Sequence, residues 1–62
     1  MNKFYISYKR NDMPPEYTGA TIKYARDENT ALMYLMKRKP EKDGTFVFKK
    51  GGFGKIVEIR QL

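Results

Sequence analysis

The stretch Lys49-Lys50-Gly51-Gly52-Phe53-Gly54-Lys55 holds the densest chemistry in this sequence. Its lysines flank glycines whose open backbone amides can approach an anion, and one aromatic ring stands among them. Such a segment could cradle phosphate oxygens while Phe53 stacks on a base. The competing reading is structural: a glycine turn with Phe53 folded back on the core edge. A phosphate-binding P-loop is excluded, because it needs Gly-Lys-Ser or Gly-Lys-Thr opening a helix.

Gly52-Phe53-Gly54 echoes the centre of the aromatic ribonucleoprotein motif of RNA-recognition domains. Aligning the two puts Gly51 at its basic position and Lys55 and Glu58 at its aromatic positions. The stacking residues are missing, and the likeness is set aside.

Catalytic chemistry finds little to work with. There is no His and no Cys, which removes the default general base, the usual triads, disulfides and ordinary zinc sites. Asp27 and Glu28 fall where a helix begins, and Glu41 and Asp43 fall in a polar turn. Glu58 stands among basic strands as a cross-strand ion-pair partner. Ser7 is the sole serine and has no base to activate it. The expectation is a protein that is not an enzyme and takes no cofactor and no metal.

These side chains need elements to hold them. Lys3–Lys9 alternates, with Phe4, Ile6 and Tyr8 on one face and Lys3, Tyr5, Ser7 and Lys9 on the other, which predicts a strand. Arg10–Tyr17, with Pro14-Pro15, predicts a loop. Thr18–Ala25 alternates again and predicts a second strand with Ala20, Ile22 and Tyr24 toward the core. Asp27 is the predicted N-cap of a helix of about eleven residues, marginal alone and dependent on packing. Ala31, Leu32, Leu35 and Met36 form its apolar stripe, Lys37, Arg38 and Lys39 complement its C-terminal end, and Pro40 stops it. Thr45–Lys49 and Lys55–Gln61 predict two further strands around the glycine tip, with Phe46, Phe48, Val57 and Ile59 facing inward. Met33 and Tyr34, beside the stripe, are expected to pack under the Asn11–Tyr17 loop.

The assembly expected is α+β: a two-layer sandwich of one four-stranded antiparallel sheet, ββαββ, with one helix packed on one face. Residues 1–62 make one small basic domain, with strand order left open. The net charge of +6 is uneven: residues 1–26 carry +3, residues 27–43 are neutral, and residues 44–62 carry +3. The excess therefore lies on strands and loops. On the expected sheet, Tyr5, Lys9, Lys23, Lys49 and Arg60 point away from the helix, where they could bind a phosphate backbone or simply keep the surface solvated.

Two functions fit. The first is a non-enzymatic module that contacts nucleic acid or a nucleoprotein assembly through Tyr5, Lys9, Lys23, Lys49, Lys50, Phe53, Lys55 and Arg60. The alternative is a protein-interaction module, an accessory, adaptor or inhibitor of bacterial or phage type, docking on an acidic surface of a larger protein. No charge-free run exceeds Asn29–Met36, far short of a membrane span. The N-terminus alternates and lacks a signal-peptide core. The chain reads as a complete, cytoplasmic, monomeric small protein.

Overall fold

Phe4 and Ile6 alternate with charged and polar neighbours along a long strand, β1 (Asn2–Arg10), which becomes the spine of the molecule. A computed structural model describes residues 1–62. β1 is followed by β2 (Gly19–Ala25), α1 (Glu28–Met33), β3 (Phe46–Val47) and β4 (Phe53–Gln61). The four strands form one sheet in the order β2-β1-β4-β3, and every pairing is antiparallel. The architecture is α+β and mostly sheet, with one short helix over part of one face.

Asp27 caps the helix as expected. Its backbone is extended, and its side chain accepts a hydrogen bond from the Thr30 amide at 2.8 Å. That bond holds the Asp27 carboxyl below its ordinary pKa, because it favours the charged form. The helix then runs only six residues, about half the expected length. Met36 leaves it to bridge Phe48: the Lys37 amide donates to the Val47 carbonyl at 2.8 Å, and the Lys49 amide donates to the Leu35 carbonyl at 2.9 Å. Tertiary backbone pairing therefore overrides the helical propensity of the following residues. Lys37, Arg38 and Lys39 lie beyond the helix and do not complement its end.

The apolar stripe nevertheless does its expected work. Ala31 is fully buried with Phe4, Ile6 and Ala25, and Leu32 and Leu35 pack against them. Met36 joins Phe46 and Phe48 in a second cluster that includes part of Tyr8 and Ile56.

Two strands face differently from the sequence expectation. Cross-strand pairs share a face. Phe4 lies opposite Lys23, and Ile6 lies opposite Thr21, so Gly19, Thr21, Lys23 and Ala25 are on the helix side. Ala20, Ile22 and Tyr24 are exposed on the other face and are not core. The helix sits against β2, and small residues there allow close approach; buried Ala25 and Ala31 belong to one cluster. In β4 the register with β1 shifts between Ser7 and Tyr8, so that Glu58 faces Ser7 while Ile56 faces Tyr8. Val57 is the extra residue of this bulge. Ile56 and Ile59 consequently both pack on the core, whereas Val57 is exposed.

Met33 and Tyr34 are also exposed rather than covered by the Asn11–Tyr17 loop. That loop is drawn the other way: Lys9, on the face opposite the helix, donates from Nζ to the carbonyls of Pro15 at 2.6 Å and Tyr17 at 3.0 Å.

Candidate functional site

A six-residue helix cannot cover a sheet whose longest strands have nine residues. Beyond the first core cluster, the helix side of the sheet opens into a cleft of about 290 Å³. Thr21 and Lys23 of β2 form one wall, and Tyr8 and Arg10 of β1 form the floor. Tyr34 and Leu35, just past the helix, and Phe48, Lys49 and Lys50 of the turn between β3 and β4 complete the lining, the two segments joined by the hydrogen bond from the Lys49 amide to the Leu35 carbonyl.

Four cations therefore meet three aromatic rings, and no carboxylate lines the space. Lys23, Lys49 and Lys50 take no part in any ion pair or side-chain hydrogen bond. Their charges remain available to a ligand.

The rings are held in place by packing. Tyr8 meets Phe48 edge-on, with centroids 5.1 Å apart. It also lies over Gly19, where a Cβ would come within 2.5 Å of the Tyr8 ring. Gly54 does the same for Phe48: a Cβ there would come within 2.6 Å of that ring and collide with the Lys9 carbonyl oxygen. Tyr34 is 43% exposed, so its ring is open to a stacking partner.

Arg10 organises the turn. Its guanidinium lies 4.4 Å from the Phe48 ring centroid, donates to the Asp12 carboxylate at 3.0 Å and donates to the Gly51 carbonyl at 2.8 Å. The Asp12 hydrogen bond raises the Arg10 pKa and lowers that of Asp12. Gly51 and Gly52 have φ of 103° and 85°, the left-handed region that favours glycine. The Gly51 amide donates to the Phe48 carbonyl, and the Phe48 amide donates to the Gly52 carbonyl, both at 2.9 Å. The turn is thus tied down on several sides.

The expected site residues divide between the two faces. Lys23, Lys49 and Lys50 come together in the helix-side cleft, which corrects the expectation that Lys23 and Lys49 point away from the helix. Tyr5, Lys9, Lys55 and Arg60 lie on the opposite face, where Tyr5 pairs with Arg60 and Lys9 with Lys55. Lys9 is engaged by loop carbonyls. Arg60 stacks 4.6 Å from the Tyr5 centroid and donates to Glu58 at 3.0 Å. Phe53 is not at the turn tip. It lies within β4 opposite Val47, half-exposed, beside a dent of about 50 Å³ near Arg38 and Lys39.

Tyr8, Arg10, Thr21 and Tyr34, with Leu35 and Phe48, expected only as core, are the lining residues that sequence reasoning missed. The parity of Lys23 with Ala25 was the available signal, since both fall on the helix side once register is known. No helix is long and apolar enough to cross a membrane. No protein-family model, curated protein or solved structure matches this chain.

Proposed function

We propose that this protein is a non-enzymatic nucleic-acid-binding module that uses the helix-side cleft and the adjoining glycine turn. The observation that carries this reading is the cleft lining: Arg10, Lys23, Lys49 and Lys50 with Tyr8, Tyr34 and Phe48, and no acidic side chain. Cations supply the sequence-independent attraction for phosphates, and the exposed Tyr34 ring supplies stacking. In this reading the molecule works as a two-layer unit in the cytosol, with the helix segment and sheet forming the cleft between them.

The test is anisotropy of labelled single-stranded and duplex DNA and RNA over a salt series. Affinity should fall steeply with salt, because each neutralised phosphate releases counterions. Replacing Lys23, Lys49 and Lys50 with Gln should lower the salt slope by up to about three. Absence of binding at low salt, with the fold intact by circular dichroism, overturns the reading.

One observation favours the second reading, docking on an acidic protein surface. The face away from the helix combines exposed Ile22, Tyr24 and Val57 with Lys3, Lys55 and Arg60. Apolar anchors ringed by cations suit a protein contact. Recovery of a stoichiometric protein partner that survives nuclease treatment, lost on Tyr24→Ala, would support it.

A further inference from the structure

We infer that the cleft seats one unpaired nucleotide, so that the protein selects single strands over duplexes. This rests on the nucleic-acid reading above and specifies its ligand.

Reading a duplex requires an element that projects into a groove, either a helix or a two-stranded ribbon. Neither is available on this molecule. The helix has six residues, opens on Asp27 and Glu28, and carries no basic residue in its last turn. A phosphate backbone would be repelled from it. The ribbon at β3 and β4 pairs over only two residues of β3. Its turn is lashed down by Arg10 on Gly51 and by the Lys49 amide on the Leu35 carbonyl. It cannot reach into a groove.

The basic surface is concave instead. A volume of about 290 Å³ is at the lower end of small-ligand sites, the size of a single nucleotide rather than of paired strands. Its lining holds both kinds of group a nucleotide needs. Lys23, Lys49 and Lys50, free of other partners, suit the phosphate. Tyr34, 43% exposed, offers a ring to the base. A base in a duplex is already stacked on both faces and cannot enter, whereas an unpaired base can turn in.

The experiment compares a short oligodeoxythymidylate with a blunt duplex of equal length at one salt concentration. The single strand should bind about tenfold tighter or more. Tyr34→Leu should remove about tenfold of that affinity while leaving duplex binding unchanged, and Tyr34→Phe should restore it. Lys23→Gln should weaken both. Added thymidine 5′-monophosphate should shift the amide resonances of Lys23, Tyr34 and Lys49, with those of Tyr5 and Tyr24 unmoved. Equal affinity for strand and duplex, indifferent to Tyr34→Leu, overturns the single-nucleotide seat and leaves nucleic-acid binding standing. Failure to bind either overturns both. Because Tyr34 is exposed, circular dichroism should show both Tyr34 variants folded, and lost binding then reports on the cleft.

Discussion

The two faces of the sheet are built from the same materials, lysines, an arginine and tyrosines, yet they differ in what those cations already touch. On the face away from the helix, Arg60 lies over Tyr5 and pairs with Glu58, and Lys9 is held by two carbonyls. Lys3 lies 6.0 Å from the Tyr24 ring. In the helix-side cleft, Lys23, Lys49 and Lys50 have no partner, and Arg10 alone is engaged. A count of charges cannot separate these faces. A count of unsatisfied charges does: Lys23, Lys49 and Lys50 in the cleft against Lys55, with Lys3 set loosely over Tyr24, on the other face.

The contrast is easiest to break through the packing that holds the cleft open. Phe46 is 2% exposed and packs 4.5 Å from Phe48 in a molecule with only ten buried residues. Phe46→Ala should therefore cost about 3–5 kcal/mol, enough to unfold the chain in a urea titration. Tyr24→Ala, on the opposite face, should cost less than about 1 kcal/mol. Comparable losses would mean that the cleft side is not the core side.

Gly54→Ala should come next, at about 1–3 kcal/mol, because a methyl there meets Phe48 and the Lys9 carbonyl. Gly44 is the control. It has φ of 90° with nothing nearby, so its alanine variant should lose only about 1–2 kcal/mol of stability, through the backbone strain it introduces. The Gly54 variant should in addition lose nucleic-acid affinity, since Phe48 and Lys49 move with that ring.

Charge removal sharpens the contrast without unfolding anything. Replacing Lys3, Lys55 and Arg60 with Gln should lower the salt slope of nucleic-acid binding by no more than about one, against about three for Lys23, Lys49 and Lys50. Equal changes would assign the ligand to both faces. On stability, Arg60→Gln alone should cost at most about 1 kcal/mol, because the stack on Tyr5 and the pair with Glu58 are both exposed.

The smallest effect is on pH. Asp27, Asp12 and Asp43 all titrate below their ordinary values: Asp27 through the Thr30 amide, Asp12 through Arg10 and Asp43 through the Thr45 amide. A carboxyl with a lowered folded pKa adds stability that is complete above the unfolded value of about 4 and is lost as pH falls through the folded value. The melting temperature should hold steady from neutral pH to about 5 and decline below about 4. In Asp27→Asn the decline should be shallower.

What the sequence made legible was local. Asp27 as cap, the Ala31-Leu32-Leu35-Met36 stripe, the glycines at the turn and the alternation of β1 all depend on neighbours a few residues apart. What it hid was register. Ile22 and Tyr24 are the bulkiest apolar residues of β2, and alternation alone assigns them inward. The pairing of Phe4 with Lys23 turns them outward, because the helix needs small residues beneath it. The single extra residue at Val57 exchanges inside for outside halfway along β4. The cleft depends on both of these facts, and also on a helix cut short by Met36 pairing with Phe48. None of the three can be read from spacing.

That last pairing has a consequence for how copies of the chain can meet. An extended sheet normally has two open flanks, and a chain with two can polymerise indefinitely. Here the Leu35–Lys37 segment closes the flank of β3, where the Val47 carbonyl and the Lys49 amide are both occupied. Two stretches stay open: β2, and β4 from Lys55 to Gln61, which β3 pairs only at Phe53 and Gly54. Copies of the chain can therefore add a strand at β2 or along the outer side of β4, but not at β3. The lysine and arginine on that part of β4, Lys55 and Arg60, set like charges against such an addition.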